Sequence, residues 1–172
     1  YSALFFLFVL HFVFACSIKK IVVRQAADFF TESRKVFEQE TDLELAETAI
    51  ASNLKLLEAM QVHDPENEEL NLLIAEIYSV YTLSFVEDKA DAADALGHAE
   101  DAAKERQRAK VFYLRARDAA GRVLLPKLDV ESLSFLTEEG LKDKLSKMDK
   151  EDIAPLFWYA FAWGSAINID RE

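Results

Sequence analysis

Cys16 is the one thiol in the sequence, and the residues before it define what chemistry it can do. It closes an uncharged run from Tyr1 to Ala15 that ends in Val13-Phe14-Ala15-Cys16. As a helix this run spans roughly 22 Å at about 1.5 Å per residue, short of the about 30 Å of a bilayer's hydrocarbon core. It therefore suits the hydrophobic region of a bacterial lipoprotein signal, with Ala15 the small residue that a signal peptidase reads. On this reading residues 1–15 are a signal peptide without its basic N-terminal region, and 16–172 form the mature chain. The Cys16 thiol then carries a diacylglycerol, and two or three acyl chains make the anchoring stable. The alternative is an uncleaved signal anchor, with Cys16 a small residue at the membrane boundary. Ser17 is not the Asp that often retains lipoproteins in the inner membrane, so the expected residence is periplasmic, outer membrane before inner.

Other reactive constellations do not occur. His11, His63 and His98 stand in no ligand spacing such as H-E-x-x-H, and there is no G-x-S-x-G, P-loop or G-x-G-x-x-G. With Cys16 lipidated, no thiol is left for a nucleophile, a disulfide or a metal. Carboxylates are abundant, but no pair stands in surroundings that would separate two pKa values. The expectation is a non-enzymatic protein with no metal and no cofactor. Its 20 basic and 31 acidic residues, net −11, argue against a nucleic-acid groove and against a polybasic lipid surface.

The elements that would position any site are helices, because four Gly and three Pro in 172 residues are too few turn residues for sheets. An amphipathic helix starts at Ile18, with Ile21, Val22, Ala26, Phe29 and Phe30 as its apolar positions, and fades at Thr31 to Ser33. Thr41 or Asp42 caps a helix over about Leu43 to Val62, whose stripe is Leu45, Ala49, Leu54, Leu57 and Met60. Asp64-Pro65-Glu66-Asn67 ends it, and the next helix, carrying Leu70 to Phe85, folds back as a hairpin. Ala92 to Leu125 reads as one long helix that can bend at Gly97 and stops at Pro126. Lys127 to Leu136 is irregular, Thr137 to Lys147 a short helix, Asp149 to Asp152 a capping region, and Ile153 to Ile169 a strongly aromatic helix with Pro155 in its first turn. An aromatic helix this near the chain end would leave an open apolar face, so the sequence is expected to be truncated at the C-terminus as at the N-terminus.

Two groups of residues are candidates for a binding surface. Tyr78, Tyr81, Phe157, Trp158 and Trp163 serve either as core or as the lining of a groove for an apolar ligand or partner, and Gly164 permits close helix approach. Arg115, Arg117 and Arg122, with Lys110, form a basic cluster in an acidic chain: a solvated face, or a site that steers an anionic ligand or an acidic partner.

Helical hairpins in series match the 34-residue tetratricopeptide pattern in pieces. Asn71, Ile74, Ala75 and Tyr78 fall at the first-helix spacing, Ala109, Tyr113 and Ala116 at the second-helix spacing, and Trp158, Phe161, Ala162 and Ser165 at another first-helix spacing. Asn71 stands where the pattern has an aromatic residue, and Tyr78 to Ala109 exceeds one regular repeat. The pieces point to an all-α, irregular tetratricopeptide-like α-solenoid of antiparallel helical hairpins.

The order of features resembles one known family. The lipid-signal Cys16, Val36-Phe37, Asp42-x-Glu44-Leu45, Asp64-Pro65-Glu66-Asn67 and Leu72-Leu73-Ile74-Ala75-Glu76 are similar to the TatT-like lipoproteins, the T component of TRAP-associated transport systems. The segments Ala109 to Asp118 and Asp152 to Gly164 strengthen the likeness. The resemblance implies a periplasmic, membrane-anchored helical protein that forms a homotrimer and works beside a periplasmic substrate-binding protein. The function expected is docking that protein and conducting an apolar or amphipathic organic acid toward a permease. A helical-repeat scaffold for cell-envelope assembly is the alternative.

Overall fold

The structure is a computed structural model that describes residues 18–170, all of them in helices, turns and short irregular links. Cys16 and the run read as a signal peptide lie outside the described residues. Helix α1 covers residues 18–32, and a short α2, Arg34–Glu38, follows it. The hairpin α3, Leu43–Gln61, and α4, Glu68–Tyr81, comes next. Asp42 caps α3, its carboxylate accepting the Glu44 and Leu45 amides at 3.1 Å each. Leu45 is 54% exposed, however, and Ala46, Leu54 and Leu57 make the inward stripe.

The turn between α3 and α4 is closed by side chains. Asn67 caps α4 by accepting the Leu70 amide at 2.9 Å. Asn71, at the position where the repeat pattern has an aromatic residue, is buried and donates to the carbonyls of Pro65 at 2.9 Å and Asn67 at 2.7 Å. An amide there satisfies turn carbonyls that an aromatic ring could not.

Helix α4 does not end at Tyr81. It passes through a π-helical turn, Thr82–Glu87, into α5, Asp88–Ala95. The continuous run Glu68–Ala95 is long and apolar enough to cross a membrane by length and composition, yet its apolar side chains are those of the core: Leu70, Leu73, Ile74, Tyr78, Tyr81 and Val86 are all buried.

Gly97 ends α5 with φ +77°, and α6, Ala99–Lys127, runs back against it. One helix from Ala92 to Leu125 is therefore not formed. The His98 amide reaches the Ala93 carbonyl and the Gly97 amide that of Asp94, both at 2.9 Å, a closure that needs a left-handed residue and makes a reversal instead of a bend. Nor does Pro126 stop α6; it sits inside the last turn. The stop is Asp129, φ 52°, where the Val130 amide bonds the Leu125 carbonyl at 3.2 Å.

Beyond it lie α7, Glu138–Leu145, capped by Thr137, and α8, Ile153–Ile169, which follows a capping box between Asp149 and Asp152. Helix α6 is the axis of the fold, packed most extensively against α8 and α4. The small residues Ala109, Ala116 and Ala120 on α6 and Ala162 on α8 are fully buried, which lets helix backbones come close. Close approach of α8 is made at Gly121 on α6, where a Cβ would meet the Tyr159 ring at 3.2 Å. Gly164, the residue expected to serve this purpose, faces open space.

Helix α1 also turns differently from the expected stripe. Val23 and Ala27 are its buried residues, while Ile18, Ile21, Val22 and Phe29 are exposed. Lys20 and Arg24 reach the buried carboxylate of Asp64 at 3.5 and 3.3 Å and hold α1 to the α3–α4 turn.

Candidate functional site

Tyr78 and Tyr81 lie one turn apart on α4, and Phe112 of α6 packs between them with ring centroids 5.5 and 6.1 Å away. Their rings are core. Two cations one turn to either side of Phe112 cover this face: Arg108 and Arg115 sit 5.1 and 5.6 Å from its centroid. Arg115 donates to the Tyr78 hydroxyl at 3.0 Å and lies 3.5 Å from Glu58; Arg108 donates to the Tyr81 hydroxyl at 3.3 Å and to Glu105 at 3.1 Å. The Tyr78 hydroxyl in turn donates to Glu58. Burial, helped by the Glu58 carboxylate, pushes the Tyr78 phenol from about 10 up to about 12. Burial also works on Glu58, but Lys55, Tyr78 and Arg115 outweigh it and hold that carboxyl below its ordinary value. Each charge on this face is met by an opposite charge or a hydroxyl.

A second arrangement lies between the C-terminal half of α6, the link after it and α8. It is a cleft of roughly 690 Å³ that brings Arg117, Arg122 and Trp163 together with Asp118, Glu131 and Tyr159. The left-handed Asp129 swings the link across α6 to form one wall. Trp163 stands edge-on to Tyr159, centroids 5.7 Å apart, and is half-buried. Burial raises the Tyr159 phenol even though Arg117 opposes it. One cation here is bonded to its neighbour and the other is exposed. Arg117 contacts its own neighbour Asp118 at 2.6 and 2.9 Å, and Arg122 is exposed with no ion pair among the described residues.

The three arginines of the sequence cluster are thus divided. Arg115 and Arg117 stand about 200° apart around a helix, so Arg115 covers the tyrosine face while Arg117 and Arg122 line the cleft. Phe157 is 52% exposed on the outer side of α8, T-shaped against Trp158 at 4.8 Å, and Trp158 packs half-buried on the core.

One cavity shares only Tyr81 with the expected sites. A pocket of roughly 200 Å³ between α2, α3 and α4 is lined by Phe30, Phe37, Ile50, Leu73, Ile77 and Tyr81. Its polar side is the ion pair of Arg34 with Glu76 at 2.8 Å. Burial raises the Glu76 carboxyl although Arg34 pulls it down, and Glu38 adds to the rise. The sequence signal was Glu76 directly after the apolar Leu72-Leu73-Ile74-Ala75, a carboxylate carried into a partly buried place. No group of His, Cys, Asp and Glu suited to a metal forms among the described residues.

An all-helical body with an aromatic cleft of mixed charge and an apolar pocket has the parts of a binding component. The family model for the TRAP transporter T-component matches residues 39–172, and the chain belongs to that family. Membership ties it to TRAP transport in an accessory role and to the bacterial envelope. The chain is 26% identical over 146 residues to an uncharacterized protein of Treponema pallidum (strain Nichols), an alignment covering 78% of this chain and 42% of that protein. The chain thus spans less than half the length of that relative. No solved structure matches it.

Proposed function

We propose that this chain is a membrane-anchored accessory lipoprotein of a TRAP-type uptake system, lipidated at Cys16 on the periplasmic side, that docks a periplasmic substrate-binding protein at the α6–α8 cleft. The observation that carries the reading is the convergence of Arg117, Arg122 and Trp163 there, an exposed cation and one bonded only to its neighbour Asp118, beside a half-buried aromatic ring. Asp118 already holds Arg117, and Glu131 shares the lining, so it is the exposed Arg122 that offers a charge to a carboxylate, while Trp163 offers its organic part a stacking surface. The solute handled is an organic acid of apolar or amphipathic character, and the apolar pocket beneath α2 supports that character. The protein works without catalysing a reaction, as a homotrimer.

The test is capture of the substrate-binding protein of the same transport system by the purified chain, with sedimentation of the chain alone. Stoichiometric capture and a trimer are expected. A monomer that captures nothing contradicts the reading and leaves the envelope-assembly scaffold, which handles no solute, in its place.

A further inference from the structure

Helix α1 has two apolar faces on opposite sides. Val23 and Ala27 point into the domain at 5% and 0% exposure, while Ile18, Ile21, Val22 and Phe29 point out at 58%, 57%, 61% and 64%. At about 100° per residue the outer four fall within one arc of roughly 100°, centred across the helix from Val23 and Ala27, and exposed Gln25 and Glu32 share that arc. A helix whose inner face is already packed, and whose charged residues Lys20 and Arg24 are bound to Asp64, gains nothing from the domain by keeping four large apolar side chains on its outer side. The charges of α1 are also uneven. Lys19, Lys20 and Arg24 occupy its first two turns, with no acid before Asp28, in a chain of net charge −11.

What lies beside the stripe follows from the residues before it. The run Tyr1 to Ala15 carries no charge, and it ends just ahead of Ile18. Whether Cys16 is lipidated or the run stays in place as an anchor, the bilayer surface is held at the first turn of α1. We infer that the outer face of α1 lies in the membrane interface, with Ile18, Ile21, Val22 and Phe29 at the acyl boundary and Lys19 among anionic headgroups. Interfacial helices bury such a face by about 5–10 Å. The anchor then fixes how the domain is tilted on the membrane, where a flexible tether would leave it free. This inference rests on the membrane anchoring proposed above.

The experiment uses the full chain, processed in cells and reconstituted in phosphatidylethanolamine–phosphatidylglycerol vesicles, with a nitrobenzoxadiazole probe on Val22→Cys. Leu96→Cys, 71% exposed at the tip of α5, carries the control probe. The expected result is a blue-shifted probe at position 22 that loses intensity when the vesicle lipids are brominated along their acyl chains, with neither change at position 96. A water-like probe at 22 on a chain whose intact mass includes the acyl groups overturns the inference and leaves the anchoring intact. A blue-shifted probe that brominated chains do not quench also overturns it, because protein then covers the face. A chain with no acyl mass that stays off the membrane overturns both.

Discussion

The tyrosine face of α4 and the cleft between α6 and α8 are built from the same residue types and do opposite things with them. On the tyrosine face Arg108 and Arg115 lie over aromatic rings, bonded to phenols and carboxylates. In the cleft Arg122 points to solvent and Arg117 holds only the adjacent Asp118. An arginine bonded to a phenol of another helix and laid over aromatic rings is part of the packing; an exposed one without such partners, as Arg122 is, is available to a carboxylate. The partners of a cation, more than its presence, separate a structural cluster from a binding one.

The sharpest way to break this comparison is to delete an aromatic ring from each region. Tyr78→Ala empties a fully enclosed site, and a loss of about 3–5 kcal/mol is expected in denaturant melts. Trp163→Ala removes a half-buried ring, and its expected loss is about 1–2 kcal/mol. Equal losses would make Trp163 core and close the cleft as a candidate.

Removing single polar groups gives a finer test. Tyr78→Phe takes one hydroxyl from between Arg115 and Glu58, an expected cost of about 1 kcal/mol. It also changes the response to alkali. The folded state keeps the Tyr78 proton up to about 12, whereas the unfolded chain releases it near 10. The folded state therefore binds more protons in that window, and the stability from this group is full below pH 10 and is lost as pH rises toward 12. Melts of the Phe variant across that range should fall less steeply than those of the parent chain. The smallest effect belongs to Arg122→Ala, for which melts should stay within about 0.5 kcal/mol of the parent chain.

Residues with strong local signals announced their structure in the sequence. Asp42, Pro65, Thr137 and the Asp149–Asp152 pair act within one turn of the backbone, and the bounds of α8 follow from such groups. Where the outcome depends on distant packing, the sequence alone was silent. Gly97 permits either a bend or a reversal, and the contact of α5 with α6 selects the reversal. The stripe of α1 could face either way, and the Asp64 carboxylate, forty residues from Arg24, decides it. Proximity in sequence grouped Arg115 with Arg117, although helix geometry sends them to different faces. Trp163 and the arginines stand in separate groups in the sequence, and only the fold brings Trp163 to Arg117 and Arg122; the irregular link with Ser132 that completes the cleft carries no periodic signal.

The central claim, that the cleft and not the tyrosine face meets the partner, is tested most directly by calorimetric binding of the cognate substrate-binding protein to two variants. Arg117→Ala with Arg122→Ala should abolish binding at unchanged fold, while Arg115→Ala should bind as the parent chain does. Binding that survives the double substitution and is lost with Arg115→Ala would contradict the account.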